Sequence, residues 1–342
     1  MQPFLDSTEI APQAEELKRR MARDGYLFLR QLLSADMLEE LRLKMLEIGH
    51  DAGWVVGNAP LARGVADLEG FCVEPEPKYM QVYERFYALP EFHAVQHHPD
   101  LLGLLERMVG EPVMPHPRII ARIIFPQRDA FTTPAHQDFV PVQGAVDTYT
   151  AWIPLSDMPD ELGGLQLAAG SHQSGIYDFR PALGAGGMEI IDPLEGKWVH
   201  TPFEQGDVLL FHSMTVHKGM PNTTECLRLS LDARYQKITD PIEAGSLEPH
   251  SQPNAWERVY ADWPSERYQY YWKQWDLHVV EFDERFNNKR DAAALEMAAS
   301  GDQRARSALQ RIVARNDDTA LRERASTLLY RLDHDVCNNQ HS

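Results

Sequence analysis

The stretch 206-GDVLLFHSMTVHKGMPNTTECLRLSLDARY-235 holds two strand-like runs, and its reading decides the fold class. The first, 207–211, is apolar and opens after Gly206. In the second, 226–235, residues alternate: Leu227, Leu229 and Leu231 share one face, Arg228 and Ser230 the other. A strand with one face on a core has this period of two. Further runs of the same kind precede it between turn signals, at 118–125 (RIIARIIF), 148–155 (TYTAWIPL) and 164–168 (GLQLA). Short strands at this spacing predict a β core over about 115–236, as a jelly roll, barrel or sandwich.

The flanks read as helix. Residues 13–24 form an amphipathic pattern that Gly25 ends before the strand-like 26–29, and Ser34 caps a second helix with Met37, Leu38, Leu41, Met45 and Ile48 at helical spacing. The Gly- and Pro-rich stretch 51–80 reads as a long loop able to lie over a site, and helical pattern returns over 81–109. After residue 251 an aromatic cluster from Trp256 to Trp275 leads into Ala/Leu/Arg-rich helices over 290–332, broken at Ser300-Gly301 and Asn316-Asp317. The chain therefore divides into 1–250, with the β core, and a helical extension, 251–342, packed on that core or on a second copy in a homo-oligomer.

Composition removes several functions. Fifty-one acidic against 33 basic residues give a net charge of −18, with no Lys/Arg run, which disfavours nucleic acid and anionic membranes. No apolar stretch approaches the roughly 18 residues of a membrane span, and the N-terminus lacks a signal-peptide pattern, so a soluble cytoplasmic protein is expected. Three scattered cysteines argue against a disulfide framework or a Cys-rich zinc site, leaving His and carboxylate for any metal.

His136-Gln137-Asp138 follows a predicted strand, and His217 lies eighty-one residues beyond His136. Residues i and i+2 of a strand point the same way, so His136 and Asp138 can converge on an ion that His217 completes. Two imidazoles and one carboxylate on one face leave coordination positions open, as in non-haem Fe(II) oxygenases. Arg228, eleven residues after His217, would face the interior of the β core, where an unpaired cation needs an anion. A dicarboxylate held in a bidentate fork is such a partner. Arg118 and Arg122 share a strand face and offer a second basic contact or a solvent-facing salt bridge. His172 reads as structural, His212 as a non-ligand on the opposite strand face from His217, and His97-His98 as surface.

Taken together, DGYLFLRQLLS (24–34), HQD (136–138), TAWIPLSD (150–157), ELGGLQLAAGSH (161–172), GDVLLFHSMTVHKG (206–219) and LRLSLDARY (227–235) make the chain resemble the phytanoyl-CoA dioxygenase family of Fe(II)/2-oxoglutarate oxygenases over about residues 22–236. The resemblance implies a double-stranded β-helix, the cupin-like jelly roll, flanked by helices. It implies His136, Asp138 and His217 as iron ligands, Arg228 as the anchor of 2-oxoglutarate, and Trp152, near the co-substrate or in the core, as a further family position. Arg122 joins the co-substrate contacts. Some members carry Ser where this chain has Gly219.

The implied reaction takes O₂ and 2-oxoglutarate to succinate and CO₂ while hydroxylating a C–H bond of a small-molecule substrate. Related halogenases lack the acid that Asp138 retains, whereas desaturation, ring formation and epimerisation share these ligands. A small polar metabolite is favoured over an acyl-CoA, with Phe139, the 51–80 stretch and the aromatics of 256–275 as candidate substrate contacts. A non-catalytic jelly roll and a cupin-type metalloenzyme independent of 2-oxoglutarate are the alternatives, and Arg228 argues against the second.

Overall fold

Strand alternation is realised most fully in the longest strand of the computed structural model, which describes residues 1–74, 76–126, 132–183, 187–250 and 256–339. In chain order the first helices and strands are α1 (Ala14–Asp24), β1 (Tyr26–Leu29), α2 (Ala35–Asp51), α3 (Pro77–Tyr87), α4 (Pro90–Val95) and α5 (Pro99–Val109). The β-rich part follows with β2 (Val113–Pro115), β3 (Ile120–Ile124), the one-turn α6 (Phe139–Val142), β4 (Tyr149–Pro154), β5 (Leu165–Ala168), β6 (Phe179–Pro181), β7 (Met188–Ile190), β8 (Trp198–Val199), β9 (Val208–His212), β10 (His217–Gly219) and β11 (Arg228–Lys237). Last come β12 (Ile242–Glu243), α7 (Trp256–Tyr260), β13 (Val279–Val280), α8 (Arg285–Ala299), α9 (Arg306–Arg315) and α10 (Thr319–Asn339). The fold is mixed, with antiparallel sheets and a larger helical share than a mainly-β reading implies.

The larger sheet runs β1-β9-β4-β11-β2, with β3 also paired to β11; the smaller runs β10-β5-β8. Each face of the larger sheet has its own covering. Leu27, Leu29, Val208, Leu210, Ala151, Ile153, Leu229, Leu231 and Tyr235 point outward into a core shared with α1–α5 and with Trp256, Val259, Tyr260 and Trp272. On the inner face Tyr26, Phe28, Trp152, Leu209 and Phe211 meet Leu165, Leu167, Val199 and Phe203 from the smaller sheet and its flanks. The aromatics of 256–275 therefore pack mainly against helices rather than facing a site.

Local signals account for the helix ends. Gly25 ends α1 at φ 78°, and its missing Cβ leaves room for His172 and Thr215, whose side-chain atoms would lie 2.5 Å from that carbon. The Ser34 hydroxyl accepts the Met37 N–H at the start of α2, as the sequence predicts. The 51–80 stretch is not a free loop: Trp54 is fully buried, Val55 bridges to Ala66, and Pro77 starts α3. Apolar side chains hidden among charged ones anchored it to the core.

Candidate active site

Backbone pairing, not strand alternation, brings the His-x-Asp motif to His217. His136 and His217 face each other in an isolated antiparallel bridge, with N–H···O bonds of 2.9 and 3.0 Å, and their rings lie 4.1 Å apart. Asp138 is not in a strand. It takes helical dihedrals (φ −62°, ψ −29°) at the head of α6, and this turn swings its carboxylate back toward both rings. Gln137 points the other way and fixes the segment through its amide, which donates to Gly175 and Met214 carbonyls, each at 2.8 Å, and accepts from the Tyr177 N–H.

The three side chains form the one His/Cys/Asp/Glu group of metal-site geometry among the described residues, with ligand atoms within 4.8 Å of one another. His136 Nε2 lies 3.6 Å and His217 Nε2 3.9 Å from Asp138 Oδ1. Each Nδ1–H donates to a backbone carbonyl, Pro134 at 2.8 Å and Thr215 at 3.0 Å, so each Nε2 keeps its lone pair directed at the site. Burial pushes the His217 imidazole down to about 4, with His136 adding to the effect and Asp138 opposing it, so the ring is neutral near pH 7. For Asp138 burial favours the neutral acid, but Arg234, His136 and His217 together hold its carboxyl well below the usual range.

Two of the groups that hold Asp138 were not anticipated. The Thr150 hydroxyl donates to Oδ2 at 2.6 Å, and Arg234 donates through Nε to Oδ2 at 3.3 Å and through Nη2 to Oδ1 at 3.2 Å. The alternation that marks Arg228 extends to Arg234, six residues along the same face, and was the signal available for it. Thr150 follows from register, since it lies opposite Arg234 on β4.

The inner face of β11 carries Arg228, Ser230, Asp232 and Arg234, all buried. Arg228 Nη1 donates to the Gly163 carbonyl at 2.6 Å, while Arg228 Nε and Ser230 Oγ have no partner among the described residues. Burial lowers the guanidinium to about 10, with Asp232 opposing and Arg122 assisting. Arg122 is not a solvent-facing salt bridge: it is inside, with Nε 2.8 Å from Asp232 and Nη1 3.6 Å from Glu74. Trp152 packs against Phe203 at 4.6 Å in the apolar layer between the sheets. Arg118 donates to the Glu248 carbonyl.

A cavity of about 450 Å³ opens at His136 and Asp138, with His217 behind them and outside its lining. His136, Asp138, Arg122, Arg118 and Arg234 line it; Arg228, Trp152 and Phe139 do not. Another wall is built by Glu74, from the 51–80 stretch expected to supply contacts, and by residues the sequence reading missed: His250, paired with Glu74 at 3.2 Å, and side chains of the C-terminal helices, including Asn287, Asn288 and Arg311. His250, Arg122 and Arg311 outweigh burial and hold the Glu74 carboxyl far below its ordinary value.

The remaining histidines have other partners. His172 Nε2 contacts the Ala22 carbonyl at 3.1 Å, in the structural role expected of it. His212 sits in β9, a different strand from His217 in a different sheet, and pairs with Asp147 at 3.2 Å, so its separation from the site is one of sheet and not of strand face. His97 is not a surface residue: its ring stacks on Tyr268 at 4.5 Å and meets Tyr271 edge-on at 4.4 Å. Gly219 pairs with Leu165, and a Cβ there would meet Thr133 N at 3.4 Å.

Residues 21–230 match the family model described as phytanoyl-CoA dioxygenase (PhyH). Among characterised relatives, 1-deoxypentalenic acid 11-beta-hydroxylase of Streptomyces arenae is 27% identical over 267 residues, covering 72% of this chain and 89% of its own length. L-proline trans-4-hydroxylase of Streptomyces griseoviridis is 26% identical, covering 66% and 87%. Among solved structures, the epimerase SnoN in complex with Fe3+, alpha ketoglutarate and nogalamycin RO is 23% identical, covers 68% of this chain and 86% of its own, and has a TM-score of 0.48. No helix among the described residues is long and apolar enough to cross a membrane. With well over half its length matched, the chain belongs to the phytanoyl-CoA dioxygenase family.

Proposed function

We propose that the protein is an Fe(II)- and 2-oxoglutarate-dependent dioxygenase that hydroxylates an unactivated C–H bond of a small metabolite. The observation that carries this reading is the group of two imidazoles and one ionised carboxylate whose ligand atoms lie within 4.8 Å of one another, with Arg228 Nε buried and without a partner among the described residues on the strand that also carries Arg234. His136 Nε2, Asp138 and His217 Nε2 would hold the iron, and the two fixed Nδ1–H groups suit the donors to a dication. Iron held there with 2-oxoglutarate would supply the oxidising chemistry, in which O₂ hydroxylates the C–H bond and decarboxylates the oxoacid to succinate and CO₂.

The chain's own part is placement. Arg228 Nε and Ser230 Oγ, buried and unpartnered on one strand face, suit the distal carboxylate of 2-oxoglutarate, because an unmatched buried cation is costly and a carboxylate accepts from both. Arg122 is committed to Asp232 and serves as a second cation nearby. Trp152 and the facing aromatics exclude water from the layer behind the metal. We read the two sheets, joined by that layer, as the faces of a double-stranded β-helix, and divide the chain into an oxygenase part, 1–250, and an extension, 251–342, whose helices hold an apolar cluster of their own.

The test is succinate release by purified protein supplied with Fe(II), 2-oxoglutarate and O₂. Metal- and O₂-dependent succinate is the expected result; none under any of these conditions, with iron bound, contradicts the reading.

A further inference from the structure

We infer that the C-terminal helices form the substrate-selecting wall of the active-site cavity, and that this wall suits a compact polar substrate of zero net charge. The inference rests on the dioxygenase reading and adds the substrate class to it.

The extension is fastened to the metal-bearing segment. Gln143, buried and at φ 57°, ends α6, the turn that Asp138 begins. Its side-chain amide donates to the Asp283 carbonyl at 3.0 Å and accepts the Asp283 N–H at 2.6 Å, as a strand neighbour would. Phe286 of α8 packs against the cluster of Val140, Phe179 and Met188, with its ring 6.4 Å from that of Phe179, and Val140 of that cluster belongs to the turn that follows Asp138. Lys289 reaches Asp178 at 2.8 Å, and β12 pairs with β13, whose Val279 and Val280 precede this contact. The guanidinium of Arg311, on α9, lies against Gly187, where a Cβ would fall 2.7 Å from Nη1. These contacts hold α8 and α9 in register with the metal-binding residues.

Their side chains face the substrate volume. Asn287, Asn288 and Arg290 of α8 and Arg311 and Ile312 of α9 line the same cavity as His136 and Asp138. Asn287 donates to Glu284 at 2.8 Å, while Asn288 has no side-chain hydrogen bond among the described residues. Amides read hydroxyl, carbonyl and amide groups, since each offers both donor and acceptor.

Charge sets the class. Among the described residues, five arginines and five carboxylates line the cavity, equal in number, and Arg122–Glu74, Arg234–Asp138 and Arg290–Asp291 pair within it, the last at 2.6 Å. Fe(II) and the 2-oxoglutarate dianion cancel in the same way. A substrate with net charge would find this set of lining charges already balanced, so it gains no net attraction for the water it gives up. A volume of about 450 Å³ fits a small metabolite and is within the usual range for ligand pockets, about 300–1,000 Å³. The family match ends at residue 230, before any of these wall residues.

The experiment follows succinate release by the full chain with Fe(II), 2-oxoglutarate and O₂ in the presence of four probe sets: free amino acids and betaines, monosaccharides and methyl glycosides, C8–C12 fatty acids, and short acyl-CoAs. The same probes are scored by Tm shift with Zn(II) and 2-oxoglutarate, which reads binding without turnover. Compounds of the first two sets are expected to accelerate succinate release and raise Tm. For the best of them, Asn288→Leu and the double substitution Asn287→Ala/Asn288→Ala are each expected to raise KM at least tenfold and abolish the Tm shift. The inference is overturned if only fatty acids or acyl-CoAs act, if no probe acts while probe-free succinate release proceeds, or if both variants keep the KM. Absence of any 2-oxoglutarate-dependent succinate from the unaltered protein would instead defeat the dioxygenase reading.

Discussion

Asp138 concentrates the chemistry of the site, because four neighbours act on one carboxylate. Thr150 and Arg234 hold both its oxygens from the sheet side, and Oδ1, which accepts from Arg234, also faces the two imidazoles. Removing one such support typically weakens metal binding about 10- to 100-fold. Thr150→Val keeps the shape and loses the hydroxyl; a weaker Fe(II) affinity in that range, read by anaerobic titration, is expected with the fold retained. Arg228 is a different case, a buried cation with no ion-pair partner among the described residues. A charge-assisted hydrogen bond contributes roughly 1.5–3 kcal/mol, so Arg228→Ala should raise the KM for 2-oxoglutarate about 10- to 100-fold with Fe(II) affinity intact. Arg122→Ala should raise it less, since Arg122 already serves Asp232. Equal effects of the two, or none from Arg228→Ala, would move the anchor elsewhere.

Strands were legible where one face met apolar packing throughout, as in 226–235, because alternation then survives in sequence. The site motif was legible as a residue set but not as geometry: His136 pairs across a bridge and Asp138 lies in a helical turn, conformations that a three-residue triplet does not encode. His97 and the 51–80 stretch were misread for a related reason, since their burial comes from partners far along the chain, Tyr268 and Tyr271 for His97. The same layer contains His93 of α4, 3% exposed, whose Nε2–H donates to the Tyr87 carbonyl at 2.7 Å. Burial lowers its pKa to about 4, against that hydrogen bond. An unfolded histidine titrates near 6.5, so between about pH 6.5 and 4 the unfolded chain binds the extra proton and stability falls as pH drops, by up to about 1.4 kcal/mol per pH unit. His93→Gln should therefore narrow the difference between urea midpoints at pH 7 and pH 5; an unaltered difference would show that His93 protonates freely in the folded state.

Across the whole molecule, the helices after residue 251 were expected to be an appendage packed on the core, and they also supply a wall of the cavity that opens at His136 and Asp138. Periodicity predicted their existence and their breaks near Ser300-Gly301 and Asn316-Asp317, but docking through Gln143–Asp283 and Phe286–Phe179 is a long-range fit that no local pattern records. The larger sheet, the inner aromatic layer and these helices thus converge on one polar cavity, and the account stands on that cavity holding a single iron with 2-oxoglutarate beside it. The direct measurement is anaerobic addition of Fe(II) and then 2-oxoglutarate, following bound iron and the visible charge-transfer absorption of the iron-bound oxoacid. One Fe(II) per chain, with an absorption band that appears on adding 2-oxoglutarate and is lost in Asp138→Ala, is the predicted result. Iron bound equally well by Asp138→Ala, or no band from the unaltered protein at saturating 2-oxoglutarate, would contradict it.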